Sequence, residues 1–215
     1  TDQYGVFFAV RARALAATGV FLDPTGVANG ASFAPLPHPV CPGAIVSLFG
    51  AALGRDTLSA GALPLPSALG GVSVTVEALA APLFYVSPGQ VNVQVPFGLR
   101  RAGDPKVRAV TIQLNTAGGQ SNAVKVPLAA TCPGIFSYDD GRSPDRGVIL
   151  HADFTLVTPE KPARPGETVI LYVTGLGELT PAVPGGAAAP ASPPARALDS
   201  PLLVFFGGEP ASGLL

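Results

Sequence analysis

The stretch PGAIVSLFGAALG, residues 42–54, returns as PGETVILYVTGLG, residues 165–177, at a constant offset of 123. No other feature restricts the fold as much, because a chain that writes one element twice has to build one unit twice. Each copy opens on Pro-Gly, a turn signal, and closes on Leu-Gly. Between them run alternating positions of the Ile45/Ser47 and Val169/Leu171 kind, and period-two alternation bounded by turns reads as a half-buried strand. A length of 215 residues allows one large domain or two of about 100 residues. The repeat decides for two.

Three further echoes follow. GVANGASF, residues 26–33, matches GVILHADF, residues 147–154, at an offset of 121. TGVF at 18–21 matches PGIF at 133–136 at an offset of 115. SPLLVFFGGEPASGLL, from residue 200, matches VTVEALAAPLFYV near an offset of 130, with Val204 level with Val74 and Phe206 level with Val76. Elsewhere Val72, Val74 and Val76 alternate with Ser73 and Thr75, and Val91, Val93 and Val95 with Asn92 and Gln94. Val107, Val110, Ile112 and Leu114 continue less strictly. Antiparallel sheets with one wet face carry this pattern. The combined 50 Gly and Pro (26 and 24) suit short strands and turns and oppose long helices. The expectation is an all-β chain with a mobile or extended Pro/Ala/Gly-rich loop over residues 180–201.

Charged residues make up 13% at a formal net charge of −1, so no basic surface for nucleic acid is expected. No run of about 18 apolar residues suggests a membrane span. No leader is visible at Thr1, which fits a cytosolic chain and a processed one equally.

Residues 70–99, GGVSVTVEALAAPLFYVSPGQVNVQVPFGL, preceded by NGASF and PGAIVSLFGAALG, resemble a family of secreted bacterial proteins of acidobacterial type. Its members carry tandem immunoglobulin-like modules of the TIG/IPT kind, and SPGQVNVQVP, residues 87–96, is the most specific part of the likeness. The resemblance implies two tandem E-set, TIG-like β-sandwiches, an extracellular location, and an accessory role in binding, adhesion or structure. The internal repeats set the expected units at residues 17–131 and 132–215, with residues 1–16 as a separate N-terminal strand. Two departures stand out: the second unit is incomplete within the chain, about three strands short, and Cys occupies two positions where small or apolar residues are expected.

Those two cysteines, Cys41 and Cys132, each precede Pro-Gly. Cys41 lies where the repeated strand begins and Cys132 just past the last strand of the same unit. The first and last strands of an immunoglobulin-like sandwich run side by side, so a disulfide is expected, implying an oxidising compartment. Two independent buried thiols are the alternative. Chemistry is otherwise sparse. His38 and His151 read as surface residues, since no GxSxG elbow or matching carboxylate accompanies them. Asp139, Asp140 and Asp145 fit no calcium-loop spacing and read as a solvated turn beside Arg142 and Arg146. Gly118-Gly119 reads as a hairpin turn. The expectation is a non-enzyme with no catalytic residue, metal or cofactor. Glycans are conceivable on the Ser/Thr of residues 180–200.

The N-terminal strand completes the reading. Val6, Phe8, Val10 and Ala12 fall on one face, and Phe7, Ala9, Arg11 and Arg13 on the other. Within one residue of register, Phe8, Val10 and Ala12 sit where Val124, Val126 and Leu128 close the first unit. A sandwich short of its last strand is a template for strand addition, and head-to-tail contacts that do not close give filaments. The expected function is therefore a structural subunit of an extracellular fibril, donating Val6, Phe8, Val10 and Ala12 to the next copy. One donated strand fills one vacancy, so either the natural chain continues past Leu215 or neighbours supply more. The alternative is a monomeric adhesion or carbohydrate-binding module of a larger secreted protein. A third reading makes the chain the accessory part of a hydrolase whose active site lies elsewhere.

Overall fold

Between residues 21 and 129 ten strands form two antiparallel sheets that share one apolar core. The computed structural model describes residues 19–100, 104, 107–141, 146–190, 192–198 and 202–211. In chain order the strands are β1 (Phe21–Asn29), β2 (Ile45–Ala51), β3 (Leu58–Ser59), β4 (Ser73–Val76), β5 (Leu79–Ala81), β6 (Leu83–Val86), β7 (Gln90–Gln94), β8 (Val107–Thr116), β9 (Gly119–Gln120) and β10 (Val124–Ala129). One sheet runs β1-β2-β7-β6-β3. The other runs β10-β8-β4-β5, with β9 folded back on β8. Among the described residues the chain has strands and no helix.

The alternation in the sequence is the cause of this arrangement. Successive strand side chains point to opposite faces, so Val74 and Val76 are buried while Ser73 and Thr75 are only half so. Val91 and Val93 do the same in β7, and Val110, Ile112 and Leu114 in β8. Val107 breaks the parity of β8 and accordingly points out, 55% exposed. Leu22, Val27, Val46 and Leu48 of the first sheet meet Val126 and Leu128 of the second in the core. Gly118 falls in the two-residue turn between the paired Thr116 and Gly119, the hairpin turn expected there.

The chain crosses between sheets just before β2. Val40 forms a parallel bridge with Leu128, its amide donating to the Pro127 carbonyl at 2.8 Å, before residue 45 joins the other sheet. This crossing brings residue 41 beside the end of β10. Cys41 and Cys132 are joined as a disulfide with their Cα atoms 5.6 Å apart.

Beyond residue 132 the strands are short: β11 (Gly134–Ile135), β12 (Ser137–Tyr138), β13 (Arg146–Gly147), β14 (Ile149–His151), β15 (Val169–Leu171) and β16 (Val173–Thr174). Their register repeats that of the first unit. Val27, Ala28 and Asn29 face Leu48, Ser47 and Val46, while Ile149, Leu150 and His151 face Leu171, Ile170 and Val169. The Pro-Gly strand is thus displaced by 123 residues and its partner by 122. The turn after that partner is one residue shorter in the second copy: Asn29 N donates to Ala34 O, His151 N to Thr155 O. That deletion is what makes the sequence read 121 at the turn. Both turns hold a phenylalanine with positive φ, Phe33 at 54° and Phe154 at 63°. Leu22 faces Gly50 and Ile135 faces Val173, so the first residues of the two units correspond at 113 rather than the 115 suggested by TGVF and PGIF.

The loop after residue 180 differs from expectation. Residues 179–180 pair with 196–197, and between them Gly186 is pinned to the first sheet. Its amide donates to Gln94 Oε1 at 2.6 Å and its carbonyl accepts from Leu65 N at 2.8 Å. A Cβ at Gly186 would lie 2.9 Å from the Leu65 carbonyl oxygen, so the approach requires glycine. Composition alone hides such a docking point.

Candidate interaction surface

The second copy of the repeated strand is built like the first but not covered like it. Val27, Val46 and Leu48 are fully buried, and their register partners Ile149, Val169 and Leu171 are only half-buried. The same contrast marks the 205–206/209–210 hairpin, which reproduces β4–β5 at an offset of 130. Val76 faces Leu79 across Glu77-Ala78, and Phe206 faces Glu209 across Gly207-Gly208, all four turn residues having positive φ. Val76 is wholly inaccessible, whereas Phe206 is 44% exposed. Leu203 and Phe205 beside it are exposed as well.

Topology supplies the reason. In the first unit β7 pairs with the free side of β2 and β8 with that of β4. Among the described residues, β15 has only β14 beside it, and the hairpin only its own two strands. Leaving a large apolar side chain wet forgoes about 1.5–3 kcal/mol relative to full burial. Ile149, Val169, Leu171 and Phe206 each retain part of that driving force. Ile149 also opens onto a shallow depression of about 650 Å³, whose other walls include Arg146, Val157, Thr158 and Pro162. The arrangement can accept strands and apolar side chains.

A junction fixes this surface to the first sandwich. The Cys132 amide donates to the Gly175 carbonyl at 2.9 Å, and Cys41 Sγ lies 3.3 Å from the same oxygen. Thr174 Oγ1 accepts from Ile45 N at 2.8 Å, Glu178 Oε1 from Gly98 N at 2.7 Å. Asn29 Nδ2 donates to the Cys132 carbonyl at 3.1 Å. The disulfide therefore sits where the repeated strands of both units converge.

The other residues singled out in the sequence are placed as follows. Val6, Phe8, Val10 and Ala12 lie outside the described residues. His38 is half-exposed, with Nδ1 3.1 Å from the Pro39 carbonyl. Asp140 pairs with Arg146, and Asp139 Oδ1 accepts from Gly141 N, across the ends of β12 and β13. The surface reading of His151 is overturned: it is 6% exposed and ion-paired with Glu167. The sequence match set His151 level with Gly30, whereas the strand register sets it level with buried Asn29. The carboxylate that the sequence reading did not find beside His151 is Glu167, 16 residues on.

No protein-family model matches the chain, and neither curated proteins nor solved structures give a match. Among the described residues no helix is long and apolar enough to cross a membrane, which says nothing of β-barrels.

Proposed function

We propose that this chain is a structural subunit of an extracellular fibril, in which each copy donates its N-terminal strand to the open second unit of the next. The two units are read as tandem immunoglobulin-like sandwiches, residues 17–131 and 132–215. The observation that carries the proposal is the burial contrast between register partners. Val27, Val46, Leu48 and Val76 are covered by neighbouring strands, and Ile149, Val169, Leu171 and Phe206 await cover. The sequence of residues 6–13 has the alternation such a groove takes: in this reading Val6, Phe8, Val10 and Ala12 would enter it and Arg11 and Arg13 would face water. In this reading a second copy supplies the covering strand, and the resulting contact is head-to-tail. The disulfide supports an oxidising, extracellular setting.

The test is electron microscopy of the intact chain and of a chain lacking residues 1–14. The intact chain forms filaments and the truncated one does not; a synthetic peptide of residues 1–14 binds the truncated chain and raises its melting temperature. Filaments of normal appearance from the truncated chain overturn the proposal. Uniform monomers from the intact chain favour the second reading, a monomeric adhesion or carbohydrate-binding module of a larger secreted protein.

A further inference from the structure

His151 is held between two groups that can only accept hydrogen bonds. Nδ1 contacts the Glu167 carboxylate, and Nε2 lies 3.2 Å from the Lys161 carbonyl oxygen. A neutral imidazole has one N–H and can satisfy one of these acceptors; the imidazolium satisfies both. With the ring nearly inaccessible, water offers little replacement for the lost bond.

We infer that His151 is a proton-operated clasp, doubly protonated when the 152–167 loop is closed and releasing that loop when it loses one proton. The clasp joins three points of the chain. His151 ends β14, opposite Val169 of β15. Lys161 lies in the middle of the loop, where its carbonyl also accepts from Thr158 N at 3.1 Å. Glu167 stands just before β15, and its second oxygen accepts from Arg164 N at 2.9 Å.

The charges facing the ring favour the closed form. The hydrogen bond to Glu167 is the strongest influence, raising the imidazole's hold on its proton above the ordinary value of 6.5, while burial and the Lys161 ammonium oppose it. That ammonium is turned aside, 3.3 Å from Asp153 Oδ2 and 2.5 Å from Thr155 Oγ1. Glu167 is in turn held below its ordinary 4.5, first by His151 and then by the Arg164 amide. The signs give a window. A raised histidine value contributes stability that is full below 6.5 and lost as pH rises through the folded value. A lowered carboxylate value contributes stability that is full above 4.5 and lost as pH falls through the folded value. The clasp is tightest between the two, in mildly acidic surroundings.

This inference stands on the loop alone, whether or not copies assemble. The experiment is hydrogen exchange by mass spectrometry on the full chain at pH 5.5 and pH 8.5, corrected for intrinsic rates. Peptides covering 151–167 lose on the order of tenfold protection at the higher pH, and those covering β4 and β8 do not change. In His151→Gln the difference between the two pH values disappears. In Glu167→Gln the midpoint of the change moves to lower pH, a shift that a merely structural glutamate would not produce. Equal protection of the wild-type loop at both values overturns the inference, and so does a His151→Gln chain that keeps the pH dependence.

Discussion

Gly175 and Ala52 are register partners, 123 residues apart, and both have positive φ, 80° and 54°. Only at Gly175 does a neighbour occupy the place of a side chain. A Cβ there would lie 2.2 Å from the Cys132 carbonyl oxygen and 3.0 Å from its sulfur. The first unit tolerates alanine at this turn; the second requires glycine, because its turn is pressed against the disulfide. Gly175→Ala is expected to destabilise the chain by on the order of 2 kcal/mol, from backbone strain plus displacement of the junction. Ala52→Gly, at the equivalent turn, should change stability by less than about 1 kcal/mol. Denaturant unfolding of both variants tests the contrast, and equal effects would contradict it.

The disulfide closes a sequence separation of 91 residues within the first sandwich. In the chain-entropy description a loop of this size contributes about 4.6 kcal/mol by restricting the unfolded chain. Cys41→Ala combined with Cys132→Ala should therefore lower stability by about 2–5 kcal/mol, measured by urea unfolding against the oxidised wild type. Because Gly175 is hydrogen-bonded to Cys132, exchange protection in β16 should fall along with that of β10. A fall confined to β10 would show that the junction holds without the bridge.

The first sandwich was legible because its strands are half-buried and antiparallel, which writes the pleat into Ser73–Val76 and Gln90–Gln94 as plain alternation. The cysteine pair was expected from first and last strands running side by side. The bond is there, but β2 and β10 lie in different sheets, and it is the Val40–Leu128 bridge before β2 that brings the two cysteines together. What escaped was whatever depends on distant partners. Glu167 stands 16 residues from His151, and without it a buried ion pair read as a surface histidine. Gly186 escaped in the same way. Its hydrogen bonds to Gln94 and Leu65 join segments about 90 and 120 residues away, and no local pattern records them.

Asp153 and Thr155 make a turn that reports on pH from the acid side. Thr155 donates both its amide, at 2.9 Å, and its hydroxyl, at 2.6 Å, to Asp153 Oδ1. These bonds, with Lys161 contributing less, hold the carboxyl at about 2 against an ordinary 3.8. A depressed carboxylate value adds stability that is complete above 3.8 and disappears as pH falls through about 2. Carbon-detected titration of the Asp153 carboxyl should show this low midpoint, and Thr155→Val should bring it up toward 3.8. A midpoint unmoved by Thr155→Val would contradict the leading role of the Thr155 hydroxyl and leave the shift to the residue-155 amide, which the variant keeps, and to Lys161.

Leu48 and Leu171 have the same place in the repeat and different surroundings, so one substitution at each separates folding from assembly. Leu48 is fully buried in the sandwich core, and truncating a buried leucine costs about 2–5 kcal/mol. Leu48→Ala should lower the unfolding midpoint of the chain under all conditions. Leu171 is half-buried on the open face, and in a dispersed chain Leu171→Ala should cost about 1 kcal/mol or less. If a neighbouring copy covers that face, the same substitution removes a buried contact from every junction of the polymer. Sedimentation and electron microscopy should then show filament yield falling with Leu171→Ala while the unfolding midpoint of dispersed chains barely moves. Loss of stability without loss of filaments would place Leu171 in the core of its own unit and remove the groove to which the donated strand is assigned.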